Sequence, residues 1–432
     1  MSQAQVDGQN NYENRDGQPR SGETSILFEP AVKWLLIACL VVAVWYRFMP
    51  LIVVSTFLLL LSLMITFWRK KSLANIIPAL ELSKSRLFAG EEFMIHGTVY
   101  NDKWLPLIWL EWDFPINKGI VLGDNERETY SIRFLWLLWF QRAAWTLKGK
   151  ALHRGVYDIG KTTLRSGDGF RFTEVEKRHG LNRKLYVYPR LVPVLVPGFR
   201  PSMQWGVQGR QGGFIEDPLL VNGIREYQAG DELRRLNWRV AARTGKLQTN
   251  VYQPVVIKQL LIYIDVQGFV INENKFEDIR KQQEYVTTKE ESFEWFLSVI
   301  ASIAVRYKEQ GISIGLASNA LNYVEQKMRT VLPSMNLTPF LDQLARITQR
   351  VGVGKMTVLD EILYQGKLSF PLFIFCEYIT KNHYMWYQQH KQELADVRFY
   401  YKSQTVYSEK LGTRAKAMNT FLTSSGLSRK GF

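Results

Sequence analysis

The densest chemistry in the chain runs from Arg225 to Leu247 (REYQAGDELRRLNWRVAARTGKL). There, Arg225, Arg234, Arg235, Arg239, Arg243 and Lys246 surround the acids Glu226, Asp231 and Glu232. Residues of these types support three uses. Arg225 and Arg234 could pair with Glu226 and Asp231 while Trp238 packs beneath, making a structural joint. Arginine and tryptophan also dominate the energetic centres of protein interfaces, so the same face could dock a partner. Arginines on phosphates with Trp238 or Tyr227 stacking on bases would make a nucleic-acid site. The first two uses are compatible and are the expectation; nucleic acid is not.

Other candidates fail on spacing. Gly354-Lys355 has Gln349 where a phosphate-binding loop needs its first glycine and Met356 where Ser or Thr would hold Mg²⁺; Gly245-Lys246 has Val240 and Leu247 at those places. Gly206–Gly213 (GVQGRQGG) does not follow a strand and open a helix, so it reads as a flexible connector. His383 and His390 lie two helical turns apart with no third ligand and no HExxH glutamate, which predicts a surface or partner-facing pair rather than zinc. His96 and His153 fall on predicted strands and His179 in a basic loop, none beside a Ser or Cys nucleophile. No catalytic constellation emerges.

The elements that must position these residues can be read from hydrophobic patterning. Gly230-Asp231 predicts a turn into a short helix capped by Asp231, with Leu233, Leu236 and Val240 on its buried face and Thr244-Gly245 ending it. Met1–Ser25 is polar and rich in Asn, Gln and Gly, and is expected to be disordered. Its pattern does not fit a cleaved signal peptide. Trp34–Tyr46 and Leu51–Trp68 are apolar runs parted by Arg47–Pro50. As one helix they would reach about 50 Å, beyond a ~30 Å hydrocarbon core, so they predict a transmembrane hairpin. Lys33 before the first run and Arg69, Lys70 and Lys71 after the second outnumber Arg47, which predicts cytoplasmic termini.

From Leu82 to Pro189 short alternating runs predict a β-sandwich, with strands at Phe93–Tyr100, Ile108–Phe114, Glu128–Phe134, Ala144–Leu152 and Leu185–Tyr188. Leu135–Phe140 (LWLLWF) is apolar on both strand faces and too short to span a bilayer. It is expected as a fully buried strand, the alternative being a Trp-rich edge resting on the bilayer interface. Further on, strands Gln259–Val266, Ile312–Ala317, Phe370–Cys376 and Val397–Tyr401 alternate with helices Ser292–Tyr307, Leu337–Ile347 and His383–Leu394. That alternation predicts a parallel, doubly wound α/β sheet.

The two cysteines, Cys39 and Cys376, sit in apolar runs far apart and read as buried thiols in a reducing compartment. A formal charge of +15 admits nucleic acid, anionic lipid or an acidic partner. With apolar spans present, anionic lipid and the positive-inside bias are the leading explanation.

The pattern Arg225-x-Tyr227-x-x-Gly230-Asp231-x-x-Arg234-x-x-x-Trp238, followed by Ala241, Ala242, Arg243, Lys246 and Leu247, resembles the signature of the bacterial domain-of-unknown-function family 58. The β-rich runs Arg154–Gly160 and Gly167–Phe170 are similar to the part preceding that signature, and the C-terminal part, residues 257–432, resembles a von Willebrand factor type A domain. In that domain type a metal-ion-dependent adhesion site begins Asp-x-Ser-x-Ser; here the run is Asp265-Val266-Gln267-Gly268-Phe269, with neither hydroxyl. Ser318 and Glu377 are the nearest substitutes after later strands. Hard cations want several converging oxygens, so a metal-free, degenerate interaction domain is expected, Asp265 being the one weak metal candidate and Mg²⁺ the ion.

The expected organisation is a tail (1–30), a transmembrane hairpin (31–69), a β-sandwich (80–192), a linker with the signature (193–256) and a type A-like α/β domain (257–432). The resemblance implies a MoxR-type AAA+ ATPase as partner, often with a transglutaminase-like membrane protein. A non-enzymatic membrane scaffold is the resulting expectation. The alternatives are an enzyme using the acids and arginines around Asp231 and Asp265 on an anionic envelope precursor, or a basic nucleic-acid-binding module.

Overall fold

The structure, a computed structural model, describes residues 20–23, 30–114, 119–123, 132–168, 173–197, 216–229, 231–254, 258–271, 278–352, 354, 356–364, 371–392, 394 and 396–422. It divides into two compact units, Met1–Tyr188 and Pro189–Phe432.

The first unit begins with strand β1 (Arg20–Glu23), which lies inside the stretch expected to lack structure, and helices α1 (Pro30–Trp45) and α2 (Met49–Ser72). Pro50 stands in the first turn of α2, where its missing N–H costs nothing. Arg47 turns the chain with a φ of 52°, and the Phe48 N–H reaches back to Ala43 O at 3.0 Å. Lys33 Nζ donates to Thr66 Oγ1 at 2.7 Å, linking the start of α1 to the last third of α2. Helix α2 is long and apolar enough to cross a membrane; the apolar part of α1, Lys33–Trp45, is shorter. Val53, Val54, Phe57, Leu60 and Leu63 all point outward.

Eleven further strands follow: β2 (Ile76–Leu82), β3 (Arg86–Phe88), β4 (Glu92–Asn101), β5 (Leu107–Asp113), β6 (Ile120–Leu122), β7 (Ile132–Leu137), β8 (Arg142–Ala151), β9 (Gly155–Asp158), β10 (Lys161–Gly167), β11 (Thr173–Gly180) and β12 (Lys184–Tyr188). They form sheets in the orders β1-β11-β10-β5-β7, β2-β4-β8-β6 and β3-β12-β9. Ile95, Val99 and Leu147 from the four-stranded sheet share one core with Leu110, Trp112 and Leu164 from the five-stranded sheet, so alternate side chains of both meet face to face. Trp145 stands edge-on to Trp112 at 5.2 Å, and a Cβ on Gly97 would overlap its ring at 2.0 Å. Only glycine fits there. The Leu135–Phe140 stretch is not a fully buried strand: Leu137 is buried, whereas Phe134, Trp136, Leu138, Trp139 and Phe140 are exposed. The strand lies at the edge of its sheet, and Phe134, Trp136 and Leu138 share its exposed face.

The second unit contains β13 (Glu216–Glu226), helix α3 (Trp238–Thr244), β14 (Gln248–Pro254), β15 (Gln259–Asp265), α4 (Ile279–Glu309), β16 (Ser313–Ser318), β17 (Ala320–Asn322), β18 (Val331–Ser334), α5 (Thr338–Arg346), β19 (Ile347–Val351), α6 (Thr357–Tyr364), β20 (Leu372–Tyr378), α7 (Lys381–His390), β21 (Val397–Ser403), α8 (Val406–Lys410) and β22 (Ala415–Ala417). The main sheet runs β18-β16-β15-β20-β21-β22, all parallel except the β18 edge. Leu260–Ile264 are completely buried, as a central parallel strand covered on both faces must be. Helix α4 starts at the Asp278 cap, thirteen residues ahead of the expected Ser292, because its first turns are polar and exposed and carry no apolar period. The chain places β16 on one side of β15 and β20 on the other, so the carboxyl ends of these strands form the switch point where open α/β sheets hold ligands.

Candidate functional site

Asp265 is the last residue of β15 and is 3 % exposed. Its Oδ1 accepts from Asn319 Nδ2 at 2.6 Å and from the Gln267 N–H at 2.9 Å. Its Oδ2 lies 3.0 Å from His383 Nε2. Burial alone would raise the Asp265 pKa, but His383, the Gln267 N–H and the Asn319 amide outweigh it and hold the carboxyl below its ordinary range.

His383 is wholly buried, so it is neither the surface residue nor the partner-facing residue expected from its spacing to His390. Thr380 precedes α7, and its N–H donates to His383 Nδ1 at 3.1 Å while Thr380 Oγ1 lies 3.0 Å from the same nitrogen. An Nδ1 that accepts from a backbone N–H places the ring proton on Nε2, facing Asp265. Nδ1 is thereby engaged by Thr380, while Nε2 lies close to the Asp265 carboxylate without an aligned hydrogen bond. The signal available in the sequence was Thr-x-x-His, the spacing of a capping box, directly after a buried strand.

Ser318 ends β16 and Asn319 follows it. Asn319 Oδ1 accepts from the Val266 N–H at 3.0 Å, and Ser318 Oγ donates to Ile264 O at 2.8 Å while accepting from the Ala320 N–H at 3.1 Å. Glu377, near the end of β20, is held by Lys289 of α4 at 2.9 and 3.0 Å, and Lys289 also donates to Gly268 O at 2.9 Å. Gly268 is required there, since a Cβ would meet Glu377 Cβ at 2.6 Å. Phe269 points into the core against Phe293 and Phe296, at 5.3 and 4.7 Å between ring centroids.

The fold brings the three candidate ligands Asp265, Ser318 and Glu377 to the carboxyl edge of the sheet. Each oxygen-bearing side chain is already engaged by a protein donor or acceptor, and Phe269 has no oxygen to contribute. The arrangement is a polar network that ties β15, β16, β20, α4 and α7 together.

The signature stretch is built on the β13–β14 hairpin, whose register pairs Arg225 with Thr249 and Glu226 with Gln248. Arg225 donates to Asp231 Oδ1 at 2.6 Å, and the Gln228 N–H donates to Asp231 Oδ2 at 3.0 Å. The Arg225 guanidinium, with the Gln228 N–H, holds the Asp231 carboxyl below its usual value. Asp231 thus closes the 225–231 loop and does not cap the helix. The cap of α3 is Asn237, which accepts from the Val240 N–H at 3.2 Å and donates to Asn250 Oδ1 at 2.9 Å. Leu233–Arg235 form a separate 3₁₀ turn; Leu236 is buried, but Leu233 is exposed. Gly245 ends α3 with a φ of 70°, as the Thr-Gly pair predicted.

Lys246 Nζ pairs with Glu226 Oε1 at 3.0 Å, and Tyr227 N–H donates to Leu247 O at 3.0 Å. Trp238 is 68 % exposed and does not pack beneath the helix; Arg234, Arg239 and Arg243 are exposed too. One turn apart on α3, Trp238 and Ala242, and Arg239 and Arg243, face outward while Val240 and Ala241 turn partly inward. Gly230, Lys355 and the Gly206–Gly213 connector lie outside the described residues.

Residues 223–335 match the family described as Protein of unknown function DUF58. The chain is 23 % identical over 239 residues to the uncharacterized protein YeaD of Bacillus subtilis, a match that covers 55 % of this chain and 54 % of that protein. The chain thus spans about half the length of this curated relative. Among solved structures, the CARDB domain of the PF1109 protein from Pyrococcus furiosus is 8 % identical and covers 26 % of this chain and 93 % of its own, with a TM-score of 0.18. The sporulation control protein Spo0M of Bacillus subtilis is 9 % identical and covers 27 % of this chain and 50 % of its own, with a TM-score of 0.15. Likeness at that level carries no argument about this chain.

Proposed function

We propose that this chain is a non-enzymatic, membrane-anchored adaptor whose signature hairpin docks a MoxR-type AAA+ ATPase on the cytoplasmic side. The observation that carries this is the outward face of α3, where Trp238 stands in solvent beside Arg239 and Arg243. An exposed Trp among arginines is the composition of an interface centre, and it weighs against use as an internal joint. The hairpin gives that face a fixed mount, because Arg225 and Asp231 close its loop and Asn237 caps its helix.

The ATPase would supply energy, and this chain would present a client or membrane complex to it, a transglutaminase-like membrane protein being one companion. Helix α2 supports the anchor, and Arg69, Lys70 and Lys71 at its end support a cytoplasmic second unit. The strand order β18-β16-β15-β20-β21-β22, with a single antiparallel edge, supports a von Willebrand type A-like domain of metal-free form. The occlusion of His383 supports a binding role over catalysis, since a general base must reach its substrate.

The test is an affinity pull-down of the tagged, membrane-extracted chain with and without ATP, beside an Arg234→Glu/Trp238→Ala variant. Co-purification of an AAA+ ATPase with the parent chain and its loss from the folded variant is the expected result. Retention by the variant moves docking away from α3. Failure to capture an AAA+ ATPase under either condition overturns the adaptor function.

A further inference from the structure

We propose that Trp104, Phe134, Trp136, Leu138, Trp139 and Phe140 form a second membrane contact, an aromatic edge of the β-sandwich that rests in the bilayer interface beside the end of α2. This rests on the reading that α2 crosses a membrane.

The edge is exposed where an ordinary sandwich would be polar. Phe134, Trp136 and Leu138 alternate along β7 and its continuation, so they share one face, and Trp136 is 66 % exposed. The turn into β8 then carries Trp139 and Phe140, with Phe140 at a φ of 53°. That region favours Gly and Asn, the usual hairpin residues, and a bulky ring there is uncommon. The turn therefore spends backbone conformational energy to present two aromatic rings to the outside.

Hydrogen bonds fix this edge to the carboxyl end of α2. Lys103 Nζ donates to Ser72 O, the last residue of α2, and to Ala74 O at 2.8 Å, while the Asp102 N–H donates to Asn75 O at 3.0 Å. The Lys103 carbonyl accepts from the Phe140 N–H at 3.2 Å, and Asn101 Nδ2 donates to Leu138 O at 2.9 Å. Trp104 follows Lys103 directly and is also exposed. The aromatic turn and the helix end are thus held by shared residues within one unit, and the helix end carries Arg69, Lys70 and Lys71.

An aromatic cluster level with a basic helix end is the chemistry of a bilayer boundary. Trp rings settle among headgroups, and Lys and Arg next to a span attract anionic lipid. The opposite end of the sandwich differs: β4, in the four-stranded sheet, runs ten residues from Asn101 back to Glu92, roughly 30 Å at ~3.3 Å per residue. There the exposed residues include Glu91, Glu92 and Lys84. The sandwich is polarised along its strands, apolar and aromatic beside α2 and charged away from it. Such a contact would give the sandwich a second attachment to the membrane beside α2.

The test uses the full chain in vesicles of phosphatidylcholine and phosphatidylglycerol, in a Cys39→Ala background with the buried Cys376 retained. An environment-sensitive fluorophore is attached in turn at Trp136→Cys, Trp139→Cys, Phe57→Cys and Glu92→Cys. Nitroxide lipids with the spin label high or deep on the acyl chain act as quenchers. The expected result is loss of emission at 136 and 139 with the shallow quencher, loss at 57 with the deep one, and none at 92. Quenching at 57 with 136 and 139 as aqueous as 92 overturns the second contact and leaves the span intact. Labels at 136 and 139 that are shielded from aqueous iodide but not quenched by lipid mean that protein covers the edge, which also overturns it. Absence of quenching at 57 removes the span, and the edge contact falls with it.

Discussion

His383 Nε2 lies 3.0 Å from Asp265 Oδ2, joining the carboxyl end of β15 to the amino end of α7 in a place closed to solvent. A charge buried at that depth is tolerable only while its donors remain. Removing the imidazole should therefore cost far more than removing an exposed side chain. His383→Ala is expected to destabilise the second unit by about 3 kcal/mol, the range seen when one partner of a buried pair is lost. The Asp265→Asn/His383→Gln double variant should recover part of that loss, because no buried charge is then left unpaired. Denaturant midpoints of the detergent-purified chains, combined as a double-mutant cycle, measure both effects.

The same contact sets a pH response. The Asp265 carboxyl is held below its ordinary value in the folded chain, so the unfolded chain binds the proton first as the pH falls. Its stabilisation is complete above the ordinary aspartate range near ~3.9 and is lost as the pH drops through the lowered folded value. Asp265→Asn should flatten this acid limb, read as unfolding midpoint against pH.

Lys103 predicts the opposite limb. Burial lowers its pKa from 10.5 to about 8. Between those values the unfolded chain holds a proton that the folded chain has released, so stability should rise with pH across that window. A Lys103→Met chain should lack the rise, although it also loses the donors that satisfy Ser72 O and Ala74 O. Thermal melts of parent and variant from pH 8 to 10 decide it.

Trp238 separates stability from docking. Because the ring stands in solvent, Trp238→Ala should change stability by less than about 0.5 kcal/mol, as exposed positions do. If α3 is the docking face, the same variant should lose ATPase capture while melting like the parent. A large drop in melting temperature would mean that Trp238 packs against the rest of the chain.

Gly268→Ala tests the close approach of β15's end to Glu377. The added methyl would meet Glu377 Cβ at 2.6 Å, and relief would pull the carboxylate from Lys289. A loss of about 1–3 kcal/mol is expected, as for other overpacked sites, read from the denaturant midpoint.

Local chemistry was enough to read the elements whose patterns are strong. The uncharged run of α2, the all-apolar β15 and the Gly245 stop of α3 follow from side-chain composition and backbone freedom at those residues, and they appear where expected. The α/β alternation of the second unit was legible for the same reason, although the polar first turns of α4 and the short α6 were not. The tertiary structure decided what spacing along the chain cannot express. His383 and Asp265 are 118 positions apart, and only the packing of α7 over the end of β15 brings them to 3.0 Å. Asp231 could serve either as a helix cap or as a carboxylate for Arg225, and the hairpin register chose the second by setting Arg225 beside it. Leu135–Phe140 reads the same whether buried or bare. Its exposure was settled by tertiary packing, because a strand's hydrophobicity states what it can bury and what packs on its face determines whether it does.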